Sequence, residues 1–490
     1  MYALYSLSLA LFFIVLIPHF IYQALKHGKY AGSFMERMGR LPATLASDER
    51  EAIWVHAVSV GEFQAARPLI EHLRRQMPEA RFVVSTITLT GQRLARAHCP
   101  SLVDDVFYFP FDWRFAARRA LMHVRPSLVV ILETELWPNF FRECRLLGAV
   151  TVLANGRISE RSFTRYKRIR PFIKGALRDV SLLVMQSEAD AERARSLGAL
   201  AISVRVCGNL KYDAGAGGQG LEAKEEDRAL GAAADARSQN SSSPDPQAPS
   251  PNPCSELDRQ FSLSMSPHVI IAGSTAAGEE QILLDSLREV RARPGLENTR
   301  LLIAPRHPER FDEVAGLIAQ SGLTFARRSQ SATTPANDWS ERKSDGFRST
   351  AGATDPRAAE VVLLDSIGEL ESAYLFASVV FVGGSLVPRG GHNVIEPAAY
   401  AKPIIVGPHT ENFKTIVDDL VLAEAIVQLS SEGEASASAL ATELARLLSD
   451  REAADSLGAR ALELLISRRG AAKCTAEAIK ETFTTRPLSR

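Results

Sequence analysis

The chain has no excess of either charge: 57 Lys and Arg side chains stand against 57 Asp and Glu over 490 residues. No global basic field exists to hold a polyanion nonspecifically, so nucleic acid is not expected as a partner. There is no Cys-x-x-Cys pair, and Cys99, Cys144, Cys207, Cys254 and Cys474 lie far apart with no histidine at metal-ligand spacing beside them. Reduced packing or surface thiols in a cytosolic compartment are the expectation, because free Cys behaves mainly as a small hydrophobe. No Gly-x-x-x-x-Gly-Lys-Ser/Thr loop occurs, which speaks against a triphosphate-hydrolysing machine. No Gly-x-Gly-x-x-Gly follows the first apolar strand, so a dinucleotide site is not expected either. From Ala214 to Glu256 the sequence holds no aromatic residue, Val, Ile or Thr, while Ala, Gly, Ser and Pro dominate. Such a stretch buries too little apolar area to offset its ordering entropy, and residues 214–260 read as a flexible linker.

Charge is also missing from Tyr2 to Leu25, where no Asp, Glu, Lys or Arg occurs. About 20 apolar residues suffice for a helix to cross a bilayer. Lys26, Lys29, Arg37 and Arg40 follow and no charge precedes, so residues 1–25 are expected to anchor the chain with its bulk on the cytoplasmic side, and residues 26–50 to form a basic tether. A cleaved signal peptide would carry positive charge before a shorter apolar core. Pro18 and His19 leave a tilted or interfacial placement open.

What is present is the pattern of two α/β halves. The length exceeds the range in which one core keeps growing, and a 46% hydrophobic, 23% charged composition is that of a folded protein. Short apolar runs at Ala52–Ser59, Phe82–Ile87, Ser127–Leu132, Val150–Ala154 and Leu182–Gln186 alternate with amphipathic stretches near 63–76, 113–123 and 188–198. A second series follows at His268–Ala272, Leu301–Ala304, Val361–Asp365, Val379–Val382 and Pro403–Val406. The predicted domains are 51–213 and 261–490, the latter interrupted by a polar surface insertion at 328–358. The helical stretch from Ala435 to Thr482 is expected to pack across the domain boundary. Open parallel sheets bind ligands beyond the carboxyl ends of their strands, which is where the chemistry is sought.

Several corners carry candidate groups. Glu62 ends HAVSVGE where a strand turns into a helix, and by itself reads first as a helix-start acid favoured by the dipole. In ILETELWPN an apolar strand runs into Glu133 and Glu135, whose alternation in an extended chain would send them to opposite faces. Lys211 in GNLKYD sits where the first half ends, either as a cation for a ligand or as a solvated edge lysine. Pro305 and Arg306 close the strand of APRHPERF, and an arginine fork suits phosphate. The glycine pairs and Asn393 of FVGGSLVPRGGHNVIEPAA permit close backbone approach and helix-start amides for an anion, with Glu396 as an acceptor for ribose hydroxyls. DSIGEL, residues 365–370, is a further strand-to-helix corner.

Taken in order, HAVSVGE, ETELWPN, NGRIS, GNLKYD, PRHPERF, GGS, RGGHNVIEPAA and VGPHTENF resemble the Kdo (3-deoxy-D-manno-octulosonic acid) transferases of lipopolysaccharide biosynthesis. The resemblance covers nearly everything outside the two low-complexity segments. It implies a GT-B glycosyltransferase, an α/β chain of two Rossmann-like domains facing across a cleft behind an N-terminal membrane-anchor helix. It implies inverting transfer of Kdo from CMP-Kdo to the lipid A precursor (lipid IVA) at the cytoplasmic face of the inner membrane. Glu62 would be the general base, with Glu133 and Lys211 assisting the transition state. CMP recognition would fall to Pro305 and Arg306, to Ile367, Gly368 and Glu369, and to Asn393, Val394, Ile395 and Glu396, the apolar pair through its backbone. No cofactor or metal is expected. The alternatives are a GT-B transferase or epimerase using another nucleotide sugar, and a catalytically silent membrane adaptor that kept the fold.

Overall fold

The structure is a computed structural model that describes residues 2, 4–9, 11, 13–15, 33–45, 48, 50–133, 135–214, 253–331, 355–430 and 437–485. The chain divides into two compact units, one of Met1–Ala214 with Arg468–Arg490, the other of Gly215–Ser467. The last 23 residues therefore belong to the first unit and not, as 261–490 would have it, to the second.

The first unit is built on a parallel seven-stranded sheet of order β3-β2-β1-β4-β5-β6-β7. Its strands are β1 Ala52–His56, β2 Arg81–Thr86, β3 Asp105–Tyr108, β4 Pro126–Leu132, β5 Val150–Gly156, β6 Leu182–Met185 and β7 Val204–Val206. The apolar runs of β1 and β4 are continuous because both faces are covered. Ile53 and Val55 of β1, with Leu128, Val130 and Leu132 of β4, enter one core, and Trp54, Val129 and Ile131 enter the other, as the two-residue period requires. Ala471, Ala472, Ala476 and Ile479 of the helix Ala471–Thr484 complete the first of these cores.

That helix is held at its start as well. Asp213 accepts hydrogen bonds from the Gly470 and Ala472 amides at 2.8 and 2.6 Å, and Cys474 is disulfide-bonded to Cys207. The expectation of reduced thiols thus fails for this pair. Their sequence separation of 267 hides a contact made only because the segment after the second unit returns to the first. Cys99 and Cys144 are free, and the Cys254 side chain lies outside the described residues.

The second unit repeats the architecture, with sheet order β10-β11-β9-β8-β12-β13-β14. The strands are β8 Val269–Thr275, β9 Arg300–Pro305, β10 Phe325–Arg327, β11 Val361–Leu363, β12 Val379–Val382, β13 Ile404–Val406 and β14 Val427–Gln428. Helices Ala437–Ser449 and Arg451–Ser467 stay with this unit.

The ends of the segments expected to be unstructured are packed. Leu257 and Phe261, in a helix that begins at Pro253, are fully buried. Arg328, at the start of the 328–358 segment, is buried and ion-paired to Glu369 at 2.9 Å. The expectations for 215–252 and 332–354 fall outside the described residues. Part of the 26–50 tether is packed among its described residues: Arg37 is buried, donates to the Ile87 carbonyl at 2.6 Å and stacks over Tyr108.

At the N-terminus the described residues between Tyr2 and Val15 are helical. Tyr5 donates to Asp112 at 2.9 Å, Tyr2 donates to Asp179, and Phe13 meets Trp113 edge-on. Leu4, Leu7, Leu11, Ile14 and Val15 are exposed. Among the described residues no helix is long and apolar enough to cross a membrane, and residues 16–32 of the expected anchor and tether lie outside them.

Candidate functional site

In each sheet the strand order reverses once, between β1 and β4 in the first unit and between β8 and β12 in the second. Loops leaving the carboxyl ends of such strand pairs diverge and open a crevice, the usual ligand position in open α/β sheets. Glu62 and Glu133 follow β1 and β4 and the glycine-rich segment follows β12, whereas Arg306, the 367–369 corner and Lys211 follow β9, β11 and β7.

In the first unit β1 ends at His56, which is fully buried, stacked on Phe109 and in contact with Ser85 through Nδ1 at 3.0 Å. Burial pushes its imidazole down to about 3, so it is a neutral core group. Four residues on, the helix Val60–Gln76 begins, with Glu62 in its first turn. The Glu62 carboxylate reaches back to accept the Val58 amide at 2.7 Å, a capping contact that fixes its position. Burial, foremost, and then the charges of Glu133 and Glu135 push this carboxyl up to about 8. The Val58 bond and the Lys211 charge pull the other way.

Glu133 follows β4 in a left-handed conformation, φ 57°, with its amide donating to the Ala154 carbonyl. The backbone leaves the extended form there, so the alternation that would separate Glu133 from Glu135 no longer applies; both carboxylates act on Glu62. Glu135 is itself raised by burial and by Glu133. Lys211 forms an ion pair with Glu133 at 2.9 Å and is not a solvated edge lysine. Asn155 of NGRIS, also left-handed, accepts the Leu210 amide at 3.0 Å and so places the Lys211 turn. The structure thus brings Glu62, Glu133 and Lys211 into one electrostatic cluster and adds Glu135, which the parity argument had set aside.

In the second unit β9 ends at the buried Pro305, and Arg306 emerges exposed with its amide bonded to Thr275 O at 3.0 Å. Arg306 and His307 lie near enough to His392 that their charges add to burial in pushing that imidazole down to about 4. The Arg306 guanidinium, always charged, suits a phosphate. Asn393 donates to Glu396 at 3.0 Å, while its carbonyl oxygen accepts the Ile395 amide at 3.0 Å. That amide, opening a helix of only five residues, Ile395–Ala399, is therefore already engaged, which weakens the expected helix-start anion site. Burial raises Glu396, and Val394 and Ile395 are core, 1% and 2% exposed, leaving only their backbone for a ligand. At the DSIGEL corner Ile367 is 82% exposed and Gly368 has φ +92°. The Glu369 side chain is committed to Arg328 and Ser366, so a ligand there would meet backbone and Ile367.

Sequence reasoning missed His392, lodged inside a recognised motif, and the adjacent Glu279 and Glu280, both fully buried at the start of the helix Glu279–Arg291. Two acids opening a helix look like ordinary dipole partners, and only their complete burial marks them out.

Residues 32–214 match the family described as 3-deoxy-D-manno-octulosonic-acid transferase (kdotransferase). A 3-deoxy-D-manno-octulosonic acid transferase of Haemophilus influenzae is 32% identical over 414 residues, 84% of this chain and 83% of that one. The enzyme of the same name from Bordetella pertussis is 29% identical over 396 residues, 80% of this chain and 79% of its own. Among solved structures, a UDP-GlcNAc 2-epimerase from Neisseria meningitidis aligns with a TM-score of 0.53 at 11% identity, over 88% of this chain and 100% of that one. That likeness speaks to the fold alone, the GT-B class of two Rossmann-like α/β domains. Identity sustained over more than four-fifths of both sequences makes this chain a member of the Kdo transferase family, glycosyltransferases of lipopolysaccharide synthesis.

Proposed function

We propose that the enzyme transfers Kdo from CMP-Kdo to the lipid A precursor (lipid IVA) with inversion at the anomeric carbon, Glu62 serving as general base. The observation that carries the reading is the half-buried Glu62 carboxyl, raised to about 8 beside Glu133 and Glu135 at the reversal point of the first sheet. A base is most effective when its pKa lies near the working pH. In the single displacement Glu62 takes the proton of the acceptor hydroxyl as its oxygen bonds to the anomeric carbon, and the bond to the CMP phosphate breaks. Lys211, held by Glu133, offsets the negative charge that gathers around the reacting centre.

The donor falls to the second unit. Arg306 and His307 attract the single phosphate, and the backbone at Gly368 and at Asn393–Ile395, with Glu396, holds the cytidine. CMP departs as a phosphate monoester that needs little acid assistance, so no metal is required for its departure. The exposed leucine stripe of the first helix, with the residues that follow it, keeps the enzyme at the inner membrane on its cytoplasmic side, where the amphipathic acceptor resides.

Transfer of radiolabelled Kdo to purified lipid A precursor tests the proposal. Wild type is expected to form product and Glu62→Gln to form about a hundredfold less or worse. Product formation undiminished in Glu62→Gln would refute the base assignment, and calorimetry showing UDP bound in preference to CMP would refute the donor.

A further inference from the structure

We infer that Glu279 is a positioning residue for donor binding: its carboxylate locks the glycine turn after β12 onto the end of β8. The inference rests on the donor reading given above. Glu279 is fully buried, and its two oxygens accept four backbone N–H bonds. Oε2 accepts from Ala276 at 2.8 Å and Gly384 at 2.7 Å, and Oε1 accepts from Ser385 and Leu386, each at 2.9 Å. The Ala276 amide follows β8 and the other three follow β12, so one side chain stitches together the two loops that diverge at the reversal point of the sheet.

The turn it holds has little freedom. A Cβ on Gly383 would come within 2.5 Å of the Ser274 carbonyl oxygen, and one on Gly384, at φ +70°, within 2.8 Å of the His392 ring. The Gly384 carbonyl in turn accepts the Gly391 amide at 2.8 Å, which fixes the start of the 391–396 segment. Displacing the turn therefore displaces His392 and Asn393 together. Glu280 completes the device on the other flank. Also fully buried, it accepts Thr275 Oγ1 at 2.8 Å and the Arg310 fork at 2.7 and 3.1 Å, and Arg310 ends the short turn that begins beside Arg306 and His307. Adjacent carboxylates thus set the spacing of the two loops assigned to the donor, although neither is assigned a contact with it.

An amide cannot replace either acid. Glutamine at 279 keeps one acceptor oxygen and turns an NH2 group toward peptide N–H donors, so one half of the stitch becomes donor against donor. The full-length protein is titrated with CMP by calorimetry, and donor KM and kcat are measured with lipid A precursor. Glu279→Gln is expected to weaken CMP binding and raise donor KM about tenfold or more, with a smaller change in kcat. Glu279→Asp, which keeps the charge on a shorter stem, is expected to recover part of that loss. Leu444→Ala, a core truncation in the same unit, should lower the melting temperature while leaving CMP affinity unchanged in the folded protein. Wild-type CMP affinity in a Glu279→Gln protein that is folded by circular dichroism overturns the inference. If Glu279→Gln does not fold, wild-type affinity in Glu279→Asp overturns it equally. Failure of wild type itself to bind CMP would overturn the donor reading instead, which keeps the two outcomes apart.

Discussion

Replacing Glu133 with glutamine tests the electrostatics of the first unit most directly, because its consequences for Glu62 all have one sign. With a pKa of about 8, Glu62 is roughly one-tenth ionised near pH 7 and roughly nine-tenths ionised near pH 9. If it is the base, kcat/KM rises about tenfold across that interval, with unit slope on its acidic limb. Glu133→Gln removes a like charge and frees Lys211 from its 2.9 Å ion pair. Both changes favour ionised Glu62, so the acidic limb moves to lower pH. A shift of about one unit, ~1.4 kcal/mol, is the scale of one such charge interaction in a partly buried site. The plateau falls at the same time if Glu133 and Lys211 assist the transition state, and the two readouts are separable because one is a position and the other a height. Stability carries a matching signature. Since the folded pKa lies above the ordinary 4.5, the folded chain holds the proton longer than the unfolded one, and stability declines as pH rises from about 4.5 through 8. Glu62→Gln should abolish that decline. A profile flat from about pH 6 to 9, or a limb that stays in place in Glu133→Gln, would refute the reasoning.

Three further outcomes are expected. Asp213→Ala removes both side-chain bonds to the start of the C-terminal helix and should cost about 1–2 kcal/mol in urea unfolding of the first unit. Cys474→Ser should lower the stability of that unit, with roughly 5–6 kcal/mol as the ceiling set by loop closure, and added reductant should then have no further effect through this pair. Leu7→Glu with Leu11→Glu, on the exposed stripe, should leave circular dichroism unchanged while reducing cosedimentation with anionic vesicles, and unchanged cosedimentation would remove the stripe from membrane attachment.

The sheet centres were legible in the sequence, and their edges were not. All ten apolar runs read as strands appear in the structure within a few residues, while β3, β7, β10 and β14 went unread. Those four are the outer strands of the two sheets, only two to four residues long and in part exposed, as in DVFY, VRV, FAR and VQ. Without burial on both faces there is no selection for a continuous apolar run, and the pattern disappears. The corners bearing Glu62, Glu133 and Arg306 were readable because each ends an interior strand, whereas Lys211 follows the unread outer strand β7 and was legible only through its GNLKYD motif. The groups that hold those corners, Asn155, Glu279 and Glu280, were not, since their partners are backbone amides and side chains distant in sequence or indistinguishable from ordinary caps. The disulfide was unreadable for the same reason, a contact 267 residues long with no local trace.

The return of the final helix to the first unit also bears on the order of events at the ribosome. Ala471, Ala472, Ala476 and Ile479 are core residues of a sheet whose last strand ends at Val206. Bacterial translation at about 5–20 residues per second therefore leaves that core open on one side for something like half a minute while the whole second unit emerges. The nascent first unit must wait, with apolar surface uncovered, for a segment that follows the whole second unit. Expression of residues 1–214 alone reproduces that unfinished state, whereas a fragment joining 1–214 to 468–490 contains every part needed to close it.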